Sequence, residues 1–308
     1  MVSLYIARRF LALIAVALAA TVLIFYALSL MPGDPAVLIL GQDATPESLV
    51  ALRARLGLNL PLWQQYLNFM ADLLRGDLGI SYQRGVPVTE RISQAFQITI
   101  LLSTLAITLS VIIGVGLGTI AAVRSNTWLD HVVRVALLTT TSIPIYWLGL
   151  LLIYLFAVEF SVLPSFGWGS SRHIVLPALT LATYPLATIG RITRASMLEA
   201  LNQDYVRTAR SKGLPERLVI LRHTLKNALI GIVTVIGLQF GILMAGAVLT
   251  ETVFSVPGMG RLLITAIFAR DYALLRGVVL VGVFVVVTLN FVVDMLYMLI
   301  DPRIRFAD

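Results

Sequence analysis

Residues 10–30 read FLALIAVALAATVLIFYALSL, 21 residues without a charge, preceded by the basic pair Arg8-Arg9. A helix rises about 1.5 Å per residue, so about 20 such residues cross the hydrocarbon core of a bilayer. The same reading finds uncharged runs at Thr99–Val123 and Val135–Val158. Ile174–Gly190 carries Pro177 and Pro185, Ala228–Thr250 is unbroken, and Gly277–Ile300 is interrupted by Asp294. Six candidate spans result, and composition agrees. Of 308 residues, 58% are hydrophobic and 13% charged, against about 25% charged in an ordinary soluble domain. Too little charge is present to cover a water-soluble globule.

The expected fold is therefore all-α: a polytopic membrane protein with six transmembrane helices. The first run is expected to stay as a helix. Although Arg8-Arg9-Phe10-Leu11 has a faint likeness to a twin-arginine signal, the apolar core is longer than the usual 7–15 or so residues and no small-x-small cleavage site follows. Arg8 and Arg9 place the N-terminus in the cytoplasm by the positive-inside rule, and six crossings return the C-terminus to the same side. With that topology the inner face sums to +8, the outer face to zero, and Asp294 within a span completes the net +7.

The chain has no cysteine, and His131, His173 and His223 are scattered. Disulfides, thiolate metal sites and a histidine-built metal site are not expected. No G-x-x-x-x-G-K-[ST] cradle occurs, and neither lysine follows a glycine, so nucleotide hydrolysis is not expected on this chain. Gly114 and Gly118 form a small-xxx-small pair suited to close helix packing. No nucleophile elbow and no nucleic-acid-binding pattern are present, so no catalytic residue is assigned.

Three regions follow: residues 1–30 with the first helix, 31–98 as an outer segment with short helices, and 99–308 as the transmembrane core. In the outer segment Thr45 reads as an N-cap with Pro46 at the first helical position and Gly57 as the stop. Pro61 opens a second helix ending near Gly76. Its apolar residues Leu62, Trp63, Tyr66, Leu67, Met70, Leu73 and Leu74 suit either a cap on the bundle or an interfacial docking surface.

The inner segment 191–226 holds eight basic and three acidic residues. Met197, Leu201, Tyr205 and Ala209 repeat every four residues, predicting one apolar stripe on a helix up to Lys212. Gly213 stands where a helix ends in a left-handed residue. Leu214 is biased to an extended conformation by Pro215, which starts a second helix with Leu218, Leu221, Leu225 and Leu229 on one face. This helix, glycine turn, helix pattern suits docking of a cytoplasmic partner better than it suits a loop that merely touches lipid.

Asn290 and Asp294 share a helix face, and an arginine at the inner end is the expected partner of Asp294 in preference to substrate. Gln239, Ser142 and the threonines 139–141 either line a pathway or bond between helices, and Pro144 permits a kink. Glu251 and Asp271, at outer ends of spans, are expected contacts for an external protein.

Six stretches together resemble the permease subunits of binding-protein-dependent ABC importers, most closely the B-type subunit of dipeptide and oligopeptide systems. They are Leu30–Pro35 (LMPGDP), Gly76–Ser81 (GDLGIS), Ser196–Gly213 (SMLEALNQDYVRTARSKG), Thr250–Arg261 (TETVFSVPGMGR), Arg270–Tyr272 (RDY) and Asn290–Arg305 (NFVVDMLYMLIDPRIR). Permeases of this class carry a motif EAA-x3-G-x9-I-x-L-P. Here it falls on Arg207, Thr208, Ala209, Gly213, His223, Leu225 and Lys226, so only Ala209, Gly213 and Leu225 match.

The resemblance implies an ABC importer (type I) fold. It makes the inner loop, including Asp204, Tyr205, Arg207, Thr208, Ala209, Arg210, Lys212, Gly213 and Leu225, the element that couples to an ATPase. It further implies a second permease subunit, two ABC ATPases that bind ATP and Mg, an extracytoplasmic binding protein, and a bacterial or archaeal cytoplasmic membrane. Peptides are the implied cargo, with nickel chelates, glutathione or oligosaccharides as alternatives. A stand-alone secondary transporter would instead show an inverted repeat with charged midplane sites.

Overall fold

The computed structural model describes residues 2–31, 33–41 and 44–300. Pro32 and residues 301–308, with Arg303 and Arg305 of the last motif, lie outside the described residues. Helix α1 (Val2–Ser29) leads into three short helices, α2 (Pro35–Leu40), α3 (Pro46–Arg55) and α4 (Leu62–Leu74). Then follow α5 (Val88–Val123), α6 (Trp128–Ser142), α7 (Ile145–Ile153) and α8 (Ser171–Leu201). The chain continues with α9 (Asp204–Ser211), α10 (Glu216–Leu218), α11 (Lys226–Gly246), α12 (Val248–Val253), α13 (Met259–Phe268) and α14 (Tyr272–Ile300). Tyr154–Glu159 and Val219–Leu225 are π-helical.

Among the described residues four helices (α1, α5, α8 and α14) are each long and apolar enough to cross a membrane, and the number is six when each of two bent pairs is counted as one span. The third expected span is not one straight rod. It bends by 98° between α6 and α7. The cause is local: Pro144 clashes with a helical predecessor, and Ile143 is extended at φ −85°, ψ 123°. The fifth expected span bends by 53° between Leu229 and Gly231. Pro177 and Pro185, by contrast, lie inside the single helix α8.

Contacts set the direction of each crossing. Helices α5 and α8 run parallel: Ser110 Oγ donates to the Ala182 carbonyl at 2.7 Å, and Gly114 and Gly118 lie against Gly190 further along both helices. A Cβ on Gly118 would stand 2.5 Å from the Gly190 carbonyl oxygen, and one on Gly190 would stand 2.8 Å from Leu137 Cδ1. The small-residue pair is therefore a packing seam, as expected. Helix α14 runs antiparallel to α1, with Arg9 beside Asp294 at one end and Phe25 beside Leu280 at the other. Gly237 of α11 meets Val293 of α14 at an approach that leaves no room for a Cβ. The central core joins Leu102, Leu176, Leu181, Ile189, Met197, Ile232 and Phe254, all buried.

The outer segment folds onto this bundle. Thr45 and Ser48 form a reciprocal capping box at 3.2 and 3.0 Å around Pro46, and Gly57 has φ +68°. Asp34 caps α2 through Ala36 N at 2.9 Å and accepts from Arg53 Nε of α3 at 2.6 Å. The expected apolar face of α4 divides in two. Tyr66, Met70 and Leu73, with buried Phe69, pack on Ile24, Phe25 and Leu280, and the Tyr66 hydroxyl bonds to Thr21 at 2.9 Å. Leu62, Trp63, Leu67 and Leu74 stay exposed. One face caps the bundle while the other remains free.

Candidate functional site

Two polar regions lie at opposite ends of the bundle. At the end that holds the N-termini of α5 and α14, the motifs separated in sequence meet through buried carboxylates. Glu251 of α12 accepts from the Thr99 hydroxyl of α5 at 2.6 Å, from Gly260 N at 2.7 Å and from Arg261 N at 3.1 Å. Thr99 Oγ1 in turn accepts from Met259 N at 2.8 Å. The first-turn amides of α13, which have no partner inside the helix, are thus satisfied by a carboxylate and a threonine. The Pro-Gly-Met-Gly sequence makes this possible: a Cβ on Gly258 would collide with the Glu251 carboxyl, and one on Gly260 with the Val248 backbone.

Asp271 does the same for α14. Its carboxylate accepts from Ser81 Oγ at 2.5 Å, Tyr82 N at 3.2 Å and Leu274 N at 3.1 Å. Ser81 belongs to the GDLGIS stretch, whose Gly76 and Gly79 have φ +77° and +86° and whose Asp77 accepts from Gly79 N at 2.7 Å. Gly79 and Ser81 then pair with Val88 and Val86 to close the turn into α5. This corrects the expectation for Glu251 and Asp271. They are 0% and 1% exposed, so they hold the scaffold together and present nothing to an external protein. An unpaired buried carboxylate is costly, which is why every one of these oxygens is met by donors.

The other end carries the loop between α8 and α11. Helix α8 stops at Leu201 and Asn202, whose Nδ2 donates to the Leu198 carbonyl at 2.9 Å. Gln203 is extended at ψ 150°, and α9 begins at Asp204. This break, where Asn and Asp side chains compete with the backbone, changes the helical phase. The expected stripe is therefore corrected: Met197 is buried in the core, but Val206 and Ala209 take the inward face of α9 and Tyr205 is 39% exposed. Val219 and Leu214 complete that small cluster. Leu225 also turns inward, against the central core, while Leu221 is exposed.

Gly213 adopts φ +75°, as its position predicts, and its N–H donates to the Arg210 carbonyl at 2.9 Å. Arg210 then clamps Glu216 across the turn through Nε and Nη2, at 3.2 and 2.7 Å. The guanidinium holds the Glu216 carboxyl below the usual carboxylate range. Asp204, Arg207, Thr208, Lys212 and Gly213 all face outward, with Arg207 and Asp204 3.7 Å apart.

One residue pair escaped sequence reading. Asp130, 0% exposed, accepts Arg194 Nε and Nη2 at 2.7 and 2.8 Å and Asn126 N at 3.0 Å. It ties α6 to the part of α8 just before the loop. In the sequence these residues were two among many inner-face charges, and only their fork-to-fork geometry sets them apart.

The pathway candidates do not converge. Asp294 pairs with Arg9 of α1 at 3.2 Å, as expected, and Asn290 lies beside them. Ser142 and Thr139 to Thr141 bond to carbonyls of their own helix, and Pro144 sits at the bend between α6 and α7. Gln239 is buried in α11, its Oε1 without a hydrogen-bond partner among the described residues. Those are three separate places. Among the described residues no group of acids and histidines is arranged to hold a metal.

Long apolar helices, a broken span and the loop between α8 and α11 mark a polytopic membrane protein. The chain belongs to the family described as binding-protein-dependent transport system inner membrane component, which matches residues 114–306, and the N-terminal part of such membrane components matches residues 1–104. A dipeptide transport system permease protein of Alkalihalophilus pseudofirmus is 42% identical over 98% of this chain and 99% of its own length. The corresponding dipeptide permease of Escherichia coli K12 is 40% identical over 98% of both chains. A glutathione transport system permease protein of Escherichia coli K12 is 40% identical over 98% of this chain and 99% of its own. The inward-facing MetNI methionine ABC transporter shares the fold at a TM-score of 0.59 and 18% identity, covering 68% of this chain and 96% of that one.

Proposed function

We propose that this chain is one membrane-spanning subunit of an ATP-driven importer for di- or oligopeptides. It pairs with a second, homologous permease, with two ATPase subunits that bind ATP and Mg, and with an extracytoplasmic binding protein. The N- and C-termini face the cytoplasm of a bacterial or archaeal cell, as the charge partition supports. The observation that carries this reading is the outward-facing loop from Asp204 to Glu216 in a chain similar over 98% of its length to dipeptide permeases.

The loop is built to be pushed. Its self-closed turn gives it a defined shape, and its exposed Tyr205, Arg207 and Lys212 offer apolar and cationic contacts to an ATPase groove. Ala209 and Leu225 are used inside this chain and anchor the loop. Driving transport requires two packings of the permease pair that differ in their contacts with closed ATPases and with loaded binding protein. The bends at Pro144 and near residue 230 are the places where the helices have already departed from straight rods. No catalytic group is assigned to the chain itself.

Affinity purification of the tagged chain from its native membrane tests the assembly. Recovery of a second permease and two ATPases is the expected result, and uptake by this chain alone in liposomes would overturn it. A glutathione permease among the relatives makes glutathione the second cargo to assay. Ligand binding by the associated extracytoplasmic protein separates the two.

A further inference from the structure

A groove of about 690 Å³ opens at the end where α5 and α13 begin. Its wall carries Arg84, Arg91 and Arg261, one carboxylate in Glu90, and the polar side chains of Gln94 and Thr265. None of the three arginines has a carboxylate within ion-pair distance among the described residues. Arg91 Nη1 donates to Ser81 Oγ at 3.3 Å, and Arg261 Nη1 donates to the Ser255 carbonyl at 2.5 Å. These bonds hold two guanidiniums in place, and each has five N–H donors, so most of their donors remain for something else. The wall is rigid beneath, because Gly258 is pressed on the Glu251 node described above.

Three cations gathered on one concave wall, with one acid among them, raise the local concentration of anions. A guanidinium fork matches a carboxylate in shape and charge. The volume falls within the range of about 300–1,000 Å³ found for small-ligand sites. We propose that this groove takes the terminal carboxylate of a short peptide as the cargo enters the translocation path. The inference rests on the peptide-import reading and names the group by which that cargo is held. Arg84 and Arg91 supply the forks, Arg261 closes the far side, and Gln94 and Thr265 offer hydrogen bonds to the peptide.

Saturation-transfer NMR tests this on the complete permease–ATPase complex in nanodiscs, without the binding protein, with trialanine and trialanine amide as probes. Transfer to trialanine and little to its amide is the expected result. Arg91→Gln should weaken trialanine binding about tenfold, the loss of a charge-assisted bond. Arg84→Gln should weaken it about threefold, with Arg84→Lys, which keeps the charge but not the fork, restoring only part of the loss. Arg84 is exposed and has no side-chain hydrogen bond or ion pair among the described residues, so its variants keep the test valid if Arg91→Gln disturbs Ser81. Equal transfer to acid and amide, or unchanged binding in both Gln variants, overturns the proposal. So do Gln variants that keep trialanine binding but lose the binding protein in a separate pull-down, which would make the groove a docking surface. A complex that binds trialanine through these arginines yet imports no peptide removes the peptide-import reading and leaves the carboxylate site standing.

Discussion

The two ends of this bundle use charge in opposite ways. At one end Glu251 and Asp271 are buried, and each gathers donors from segments far apart in sequence. At the other, Asp204, Arg207, Lys212 and Glu216 are exposed, and the loop that bears them rests on Val206, Ala209, Leu214 and Val219. A buried carboxylate persists only where donors repay its dehydration, and both of these are fully met from within the chain. An exposed ion pair contributes little to stability. Its charges remain available to another chain.

That contrast can be broken in graded steps. Glu251→Ala leaves Gly260 N, Arg261 N and the Thr99 hydroxyl without their acceptor and should destabilise the protein by about 4 kcal/mol. Thermal unfolding in mild detergent reads this, and an unchanged midpoint would remove Glu251 from the scaffold. Asp130→Ala strands Arg194 at the base of the loop and should cost about 3 kcal/mol in the same thermal unfolding, where an unchanged midpoint would remove the pair from the scaffold.

Gly213→Val forces a β-branched residue to φ +75°, at about 2 kcal/mol of local strain. The protein should still insert, but ATP hydrolysis should no longer drive uptake in proteoliposomes. Wild-type uptake would sink the coupling role of the turn. Glu216→Gln should change stability by less than about 0.5 kcal/mol. The native pKa of Glu216 is lowered by Arg210, so its contribution is present at neutral pH and lost as pH falls through that depressed value, below the ordinary 4.5. Melting midpoints of wild type and Glu216→Gln should therefore stay parallel from pH 7 to about pH 5.

Much of the architecture was legible along the chain because its causes are local. Uncharged runs mark the spans, Thr45 and Pro46 start α3, and Gly213 turns the loop. The proline before α7 announced a kink, though not its 98° size. Tyr205 was misplaced because a four-residue stripe assumes one unbroken helix, and Asn202-Gln203 resets the phase. Glu251 and Asp271 were read as surface contacts because position near a span end says nothing of burial.

The sequence by itself determined that this protein crosses a membrane, which end gathers the positive charge, and where a turn protrudes. Each follows from hydropathy, charge or backbone preference within a few residues. Only the tertiary structure decided what the charged residues do, because burial depends on neighbours distant along the chain. Thr99 meets Glu251, Ser81 meets Asp271, and Asp130 meets Arg194. The same kind of carboxylate becomes a helix cap in one place and a free contact in another, according to whether folding brings it donors or leaves it in water.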